Sequence, residues 1–234
     1  MKLGIFGGTF NPPHNTHVNI ARQAVLQLKL DKLLVFPCGD PPHKRSGVNK
    51  YVRLHMARLA FDGVGEVCDY EVKKSSKSYT LDTLRHVAEI YPESELYLII
   101  GGDSFRDFGD WHLPQEIAPL ATIAVVARGN AIPQSDVDEF CRNFNAKVVQ
   151  IVTEPNAVSS SDVRLRLAFG DNSAADCLPP SVLEYIEATE LYSKYLPLVQ
   201  KLKTMLTPKR FDHTFHVVKR GLELARGKDE NRVF

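Results

Sequence analysis

The chain has 234 residues, of which 44% are hydrophobic, and this is enough to bury one substantial core. Its 29 Lys and Arg residues nearly balance 28 Asp and Glu residues, so the formal net charge is +1. This balance argues against a general nucleic-acid binder, because that class needs a surplus of cations along the phosphate backbone. Any phosphate chemistry must therefore depend on local groups.

Cysteine spacing and hydropathy exclude further classes. Cys38, Cys68, Cys141 and Cys177 lie far apart and form no CxxC pair, so we expect neither a zinc site nor a disulfide framework. No apolar run approaches the roughly 20 residues that span a bilayer, and the N-terminal run stops at Gly7. The sequence therefore predicts reduced thiols, a cytoplasmic location and no membrane partner.

Short apolar runs alternate with segments of helical period from residue 3 to about residue 168. The strand candidates are LGIF, LLVFPC, CDYEV, ELYLII, TIAVVA and VVQIV. Apolar residues recur at i, i+3, i+4 and i+7 in VNIARQAVLQL, YVRLHMARLAF and LDTLRHVAEIY. Strands that are apolar on both faces need helices above and below them. This order predicts an α/β fold with a doubly wound, mostly parallel sheet, whose ligand lies beyond the carboxyl ends of its strands.

From SVLEYIEATELY onward the chain predicts only helices, with breaks near Pro197 and Pro208. We place a boundary near residue 193, which gives a main domain of residues 1–193 and a short all-helical tail of residues 194–234. The tail is either two helices docked on the main domain or the start of a second, helical domain. The sequence leaves both possibilities open.

The loop GGTFNPPHNTH directly follows the first strand candidate. Gly7 and Gly8 allow the backbone to turn sharply and to approach a ligand. The helix that begins near Thr16 or His17 offers free N–H groups and a positive dipole end to a phosphate. His14 and His17 are three residues apart and can share one face of the turn. The alternative is a metal pair, but no nearby Cys, Asp or Glu supplies the third ligand of a zinc site.

GGTFNPPHNTH resembles the signature of the HxGH nucleotidyltransferase superfamily, and in detail that of the bacterial nicotinate mononucleotide adenylyltransferases. The resemblance implies a Rossmann-like nucleotidyltransferase fold for residues 1–193. Thr16 stands where this family commonly has Gly, so a β-branched residue enters the loop. The residues that the resemblance implies for ATP binding in this loop are Gly7, Gly8, Thr9, Phe10, His14 and His17.

Two further segments resemble mononucleotide-binding motifs of the same family. GDPPHKR is similar to the family's PPHK segment, which implies that Lys44 meets the phosphate of the mononucleotide. SYTLDTLR is similar to the motif in which Thr80 and its neighbours approach the nicotinate ring. Taken without the resemblance, Lys44 is a solvated surface charge and Thr80 is the N-cap of the following helix.

The segment ELYLIIGGDSFRDFGDWH ends a predicted buried strand with a glycine pair, an acid and the only tryptophan. A carboxylate at a strand end can accept hydrogen bonds from ribose hydroxyls, and an indole can stack on a pyridine ring. Core packing is the alternative role of Trp111. The family resemblance implies that Gly101 and Asp103 bind ATP and that Asp103 and Trp111 bind the mononucleotide.

The last two segments carry arginines. VARGN departs from the family's VPRPG but keeps Arg128, which the resemblance assigns to the mononucleotide. VSSSDVRLRL resembles ISSTxIR, which implies that Ser160, Ser161 and Arg164 close over the triphosphate. The residues themselves predict serine caps at a helix start, with Asp162 favoured in the first turn and a planar donor group for phosphate oxygens.

The resemblance also implies a reaction. The 5′-phosphate of nicotinate mononucleotide attacks the α-phosphorus of ATP, which gives nicotinate adenine dinucleotide and pyrophosphate. The implied catalytic residues are His14, His17, Lys44 and Arg164, assisted by Mg²⁺ that binds with ATP and not through protein side chains. Nicotinamide mononucleotide as acceptor, another HxGH-type transfer and a noncatalytic nucleotide-binding module remain alternatives. The sequence leaves the oligomeric state open.

The tail segment LTPKRFDHTFHVVKRGLELARGK resembles the first helix of an HD-type phosphohydrolase domain, in which His213 would be a metal ligand. The His-Asp pair and the later Asp that complete such a metal site do not follow before Phe234. We therefore expect no HD site, and we expect an amphipathic helix with His213 and His216 on its exposed side.

Overall fold

The computed structural model describes residues 1–39, 47–154, 158–193 and 196–224, apart from the side chains of Arg128, Leu222 and Glu223. Within these residues, the strands are β1 (Lys2–Gly8), β2 (Lys32–Pro37), β3 (Glu66–Val67), β4 (Glu95–Gly101), β5 (Thr122–Arg128) and β6 (Val148–Thr153). They form one six-stranded sheet in the order β3-β2-β1-β4-β5-β6, and every pairing is parallel. The predicted doubly wound parallel sheet is confirmed.

The three long predicted helices are present to within a few residues at each end. The helices are α1 (Asn15–Leu28), α2 (Lys50–Ala60), α3 (Tyr70–Lys73), α4 (Thr80–Ile90), α5 (Gly102–Arg106), α6 (Pro114–Ile117), α7 (Gln134–Phe144), α8 (Ser160–Phe169), α9 (Pro180–Ala188), α10 (Leu196–Met205) and α11 (Pro208–Leu224). Short 3₁₀ turns follow α5 and α8.

Two hydrophobic layers cover the sheet. One face packs on α1, α2 and α9, and the other face packs on α4 to α7. Successive residues of β1 divide between the layers, with Phe6 in the first and Leu3 and Ile5 in the second. This division follows from the period of two in a strand, and it explains why the strand candidates are apolar on both faces.

The strand order reverses its direction at β1. This strand pairs with β2 on one side and with β4 on the other. Connections that leave neighbouring parallel strands in opposite directions open a crevice at their carboxyl ends. The crevice lies beyond Gly8 and Gly101, where the glycine pairs of the sequence stand.

One predicted strand is wrong. CDYEV was expected to be extended, but the edge strand β3 ends at Val67, and Tyr70–Lys73 forms the helical turn α3. The backbone N–H of Lys73 donates to the Asp69 carbonyl at 2.9 Å. A five-residue segment carries too little periodicity to separate a strand from a helical turn. Among the described strands, only β2 pairs with β3, and their ladder is short.

The helical tail packs on α8. Leu165, Ala168 and Phe169 of α8 form a small buried cluster with Val199 of α10, and α11 covers it. His213 and His216 lie exposed on α11, as expected. No helix in the described part of the chain is both long and apolar enough to cross a bilayer. The boundary near residue 193 stays a prediction.

Candidate active site

The loop after β1 is shaped from beneath by Phe10. This residue has a φ of 49° in the left-handed region, and it is only 2% exposed. Its ring packs edge-on against Phe6 and Phe61, with centroids 5.7 and 5.2 Å apart. A Cβ at Gly8 would lie 2.8 Å from the Phe10 ring, so this position requires glycine, whereas a Cβ at Gly7 would meet no atom of the described residues within 4 Å. The predicted ATP residue Phe10 is therefore a core residue that fixes the loop.

The two histidines lie together at the start of α1. The backbone N–H of His14 donates to His17 Nδ1 at 3.2 Å, and the backbone N–H of His17 donates to the His14 carbonyl at 2.8 Å. Their ring centroids are 3.8 Å apart, and the Phe10 ring supports His17 edge-on at 5.2 Å. Because Nδ1 of His17 is an acceptor, Nε2 carries the proton of the neutral ring and is a donor.

Helix α8 is tied to the same loop. Ser160 Oγ donates to the Pro12 carbonyl at 3.0 Å. The Arg164 guanidinium donates to the Asn11 carbonyl at 2.8 Å and to Ser161 Oγ at 3.1 Å. The structure therefore brings together two sequence motifs that are about 150 residues apart.

Tyr192 makes a third connection to this loop. Its hydroxyl donates to Asn11 Oδ1 at 2.6 Å. Burial raises the pKa of the phenol well above its usual range, so the hydroxyl stays a donor at neutral pH. Sequence reasoning missed this residue, since a tyrosine after a helical segment carries no positional signal.

Arg53 is a buried cation that joins the loops after β1 and β2. Its side chain donates to the carbonyls of Thr9 at 2.8 Å, Cys38 at 2.7 Å and Gly39 at 2.6 Å. The residue is 1% exposed and also approaches the Val48 carbonyl at 3.4 Å. One guanidinium with five donors can satisfy several carbonyls at once. Arg53 therefore fixes both loops, and sequence reasoning missed it.

A cavity of about 350 Å³ opens at the carboxyl ends of the strands, between these loops and α4. Trp111 lines it and is half-buried, with its ring 5.1 Å from that of Phe108. Trp111 therefore packs against the core and also lines the cavity. Four segments contribute to the lining of the cavity: Gly7, Gly8, Thr9, Tyr79, Thr80, Gly101, Ser104, Trp111 and His112.

The cavity lining includes a buried glutamate, Glu71. Thr83 Oγ1 donates to Glu71 Oε1 at 2.7 Å, and both residues line the cavity with Cys38. Burial raises the pKa of the Glu71 carboxyl and raises that of the Cys38 thiol to about 12. Burial therefore disfavours ionisation of both groups relative to exposed groups of the same type. Glu71 is not among the predicted site residues, because its segment CDYEV was predicted to be a strand.

One of the two predicted helix caps is confirmed. Ser159 is the N-cap of α8, and its Oγ accepts from the backbone N–H of Asp162 at 3.1 Å. Thr80 is not an N-cap, because α4 begins at Thr80 itself and Tyr79 occupies the cap position without a side-chain bond. The side chain of Thr80 is therefore not committed to capping, and this residue lines the cavity.

Of the three remaining predicted residues, only Asp103 belongs with its side chain to the described part of the structure. Asp103 stands in α5 with an exposed carboxylate that forms an ion pair with Arg106. Lys44 lies outside the described residues. The side chain of Arg128 is also outside them, although its backbone pairs with Thr153 at the end of β5.

The donors at this site suit anions. In the described ranges, no group of three or more His, Cys, Asp and Glu side chains is arranged to hold a metal ion. The four cysteines are free. Mg²⁺ prefers oxygen ligands, whereas imidazole and guanidinium groups donate hydrogen bonds to phosphate oxygens. These side chains therefore suit phosphate oxygens, and Mg²⁺ would be held by those phosphate oxygens and not by the side chains.

A parallel sheet whose carboxyl edge holds a glycine loop, paired imidazoles and a serine-capped helix with Arg164 defines an α/β nucleotidyltransferase. Residues 5–166 match the family model described as cytidylyltransferase-like. The chain is 37% identical over 199 residues to the "Probable nicotinate-nucleotide adenylyltransferase" of Synechococcus sp. (strain JA-3-3Ab), covering 82% of this chain and 94% of that relative.

A relative with the same name from Shewanella sp. (strain MR-7) is 34% identical over 216 residues. The match covers 82% of this chain and 99% of that relative. The fold is shared with the solved structure "Plasmodium falciparum nicotinic acid mononucleotide adenylyltransferase complexed with NaAD", at a TM-score of 0.66 and 20% identity, over 82% of this chain and 97% of that one. The chain belongs to the cytidylyltransferase-like family and, within it, to the nicotinate-nucleotide adenylyltransferases.

Proposed function

We propose that this chain transfers the adenylyl group of ATP to nicotinate mononucleotide and releases nicotinate adenine dinucleotide and pyrophosphate. The observation that carries the proposal is the contact between the opening loop and α8, beside a cavity that Trp111 lines. It supports the proposal because the loop that carries the anion donors also lines a partly apolar cavity. The curated relatives bear the name of this activity.

The triphosphate of ATP would bind between the opening loop and α8. Gly7, Gly8 and Thr9 give close backbone approach at the end of β1, and Gly101 does so at the end of β4. The side-chain donors for its phosphate oxygens would be His14, His17, Ser160, Ser161 and Arg164, with Phe10 beneath the loop. Asp103 would exchange its contact with Arg106 for the ribose hydroxyls.

Arg164 is prepared for this role by its neighbours. Its contacts with the Asn11 carbonyl and Ser161 Oγ fix the plane of the guanidinium. A fixed planar group loses less conformational entropy when it donates to a phosphate. Its positive charge would oppose the negative charge that develops on the leaving pyrophosphate.

The mononucleotide would occupy the cavity. Its pyridine ring would stack on Trp111, and the first turn of α4 at Thr80 would approach the ring carboxylate. A carboxylate favours a helix N-terminus, and α4 presents one there. Lys44 and Arg128 are assigned to the mononucleotide phosphate and its surroundings by family resemblance.

The reaction needs no protein nucleophile. A bond forms between a 5′-phosphate oxygen of the mononucleotide and the α-phosphorus, and the bond from the α-phosphorus to the oxygen bridging to the β-phosphorus breaks. The electron pair of that bond leaves with pyrophosphate. The protein contributes position and charge, through Nε2 of His17, the Arg164 guanidinium and Lys44. Mg²⁺ bound to ATP would shield phosphate charge.

A pyrophosphate-release assay tests the proposal. Purified protein is mixed with ATP and Mg²⁺ and with nicotinate mononucleotide, nicotinamide mononucleotide or phosphopantetheine in parallel. We expect rapid release only with nicotinate mononucleotide. Comparable rates with the amide would overturn the preference for the acid, and fast release with phosphopantetheine would indicate another transferase. ATP binding without release in any mixture would indicate a noncatalytic module.

The proposal places the reaction in the cytoplasm. The four free cysteines support a reducing compartment, because thiols in oxidising compartments are commonly paired. Detection of the protein by fractionation of cells is the direct test.

A further inference from the structure

Helix α8 is held from two sides. On one side, Ser160 and Arg164 bond to the carbonyls of the opening loop. On the other side, Asp162 and Phe169 face the tail helix α11. The residues that would close over ATP therefore share one short helix with the residues that contact the tail.

The polar part of the tail contact centres on Asp162. Lys219 Nζ of α11 lies 3.0 Å from Asp162 Oδ1, and Arg166 Nε lies 2.9 Å from Oδ2. The Asp162 side chain is only 11% exposed, and Arg166 is braced by Ser173 Oγ at 2.9 Å. The low exposure of Asp162 limits the screening of its charge by salt and water, although the Lys219 side chain is 39% exposed. Lys219 therefore supplies a cation from the tail to the first turn of α8.

The apolar part is an aromatic cluster at the other end of α8. The Phe169 ring packs edge-on against Phe215, with centroids 5.1 Å apart, and lies 6.0 Å from Phe211. Leu165 and Val199 are buried beside it. Two contacts at opposite ends of a ten-residue helix restrict both its tilt and its rotation.

We propose that α11 is a positioning element of the ATP site, acting on α8 through the Lys219–Asp162 ion pair and the Phe169 cluster. This rests on the proposed function, which assigns Ser160 and Arg164 to the triphosphate. Asp162 lies two residues from each of them, so movement of the first turn displaces both. Small displacements of groups that position a reacting phosphate lower the rate strongly.

Kinetics of Lys219→Met test this role. We expect the KM for ATP to rise about fivefold, with the KM for nicotinate mononucleotide within about twofold of wild type. Lys219→Arg should restore the wild-type KM, because a guanidinium can make the same ion pair. The matched control is Lys209→Met, which removes an exposed lysine of the same helix. An unchanged KM for ATP in an active Lys219→Met protein would overturn the proposal.

A double-mutant cycle shows whether the effect passes through Asp162. Asp162→Asn and Lys219→Met should each raise the KM for ATP, and the double variant should be no worse than the worse single variant. Additive effects would mean that Lys219 acts elsewhere, and the assigned contact would be wrong.

Hydrogen exchange separates this proposal from the proposed function. Backbone amides of residues 160–169 should exchange several-fold faster in Lys219→Met than in the wild type or in Lys209→Met. This readout needs no substrate, so it holds even if the wild-type protein fails the pyrophosphate assay. Unchanged exchange in α8 would refute the positioning role whatever the activity.

Discussion

The backbone N–H of His14 donates to Nδ1 of His17 at 3.2 Å, so the cap of α1 also determines which nitrogen of His17 can donate. In the same turn the His17 N–H donates to the His14 carbonyl at 2.8 Å. A helix cap and the proposed phosphate donor are thus built from one pair of residues.

Replacement of His17 by alanine should lower turnover by on the order of a hundredfold, because a donor that opposes developing charge is lost. The KM for nicotinate mononucleotide should stay within about twofold of wild type. Steady-state kinetics with His216→Ala as control, an exposed histidine of α11, provide the comparison. Normal turnover in His17→Ala would remove this residue from the catalytic group.

The glycine pair offers a matched comparison of stability. Gly8→Ala should lower the free energy of unfolding by about 1–3 kcal/mol, since the new Cβ meets the Phe10 ring at 2.8 Å. Gly7→Ala should change it by only about 0.5 kcal/mol, because none of the residues that the structure describes has an atom within 4 Å of the new Cβ. Denaturant unfolding measures both. Equal losses would mean that the Phe10 ring does not restrict position 8.

Arg53→Met should destabilise the protein by at least about 3 kcal/mol, because the buried carbonyls of Thr9, Cys38 and Gly39 lose their donor. Arg53→Lys should recover only part of this loss, since one ammonium cannot reproduce the fork of a guanidinium. Arg58→Met is the control on α2, where the side chain is 53% exposed. Its effect should stay below about 1 kcal/mol in urea unfolding. Similar midpoints for the Arg53 and Arg58 variants would contradict the role of Arg53.

Trp111→Ala should raise the KM for nicotinate mononucleotide about tenfold and leave the KM for ATP within about twofold, because stacking on the pyridine ring is lost. Trp111→Phe keeps an aromatic face and should recover most of the affinity. A fall in Tm with an unchanged KM would assign Trp111 to the core beside Phe108 alone.

Glu71→Gln should change how stability depends on pH. Burial raises the folded-state pKa of Glu71 above its ordinary value, so the folded chain holds this proton more tightly than the unfolded chain. The resulting stabilisation is full below the ordinary pKa and is lost as pH rises through the folded-state pKa. The Tm of Glu71→Gln relative to wild type should therefore increase from pH 5 to pH 8. Glu89→Gln, an exposed site on α4, should run parallel to wild type.

A pH-independent Tm difference between Glu71→Gln and wild type would contradict the buried titration. Thr83 Oγ1 can still donate to the amide oxygen of the variant, so the hydrogen bond itself is conserved in the comparison.

The sheet was predictable because its strands are apolar on both faces and its helices repeat every three to four residues. The edge strand was misplaced, since β3 has only two paired residues and the run CDYEV lies just after it. Short segments at a sheet edge carry little periodicity. The hydrogen bond from Thr83 to Glu71 joins two different helices and cannot be read from either segment alone.

The geometry of the opening loop was also predictable. Gly8 is a glycine because a side chain there would meet the Phe10 ring, and the three-residue spacing of His14 and His17 brings their rings together. Arg53 and Tyr192 were not predicted, although an arginine among the apolar residues that α2 buries was a usable signal. Their acceptors are a set of loop carbonyls and the side-chain oxygen of Asn11, which become neighbours only when the chain is folded. Sequence shows donors but not the carbonyls that converge on them.

The contacts of Asn11 bear on when the opening loop can fold during synthesis. Its two oxygens accept from Arg164 and Tyr192, which are 153 and 181 residues further along the chain. The loop leaves the ribosome before these two partners and therefore acquires them only after residue 192 has emerged. A fragment that stops short of α8 would contain the whole GGTFNPPHNTH signature and keep its contact with Arg53, but it would lack the contacts with Arg164 and Tyr192.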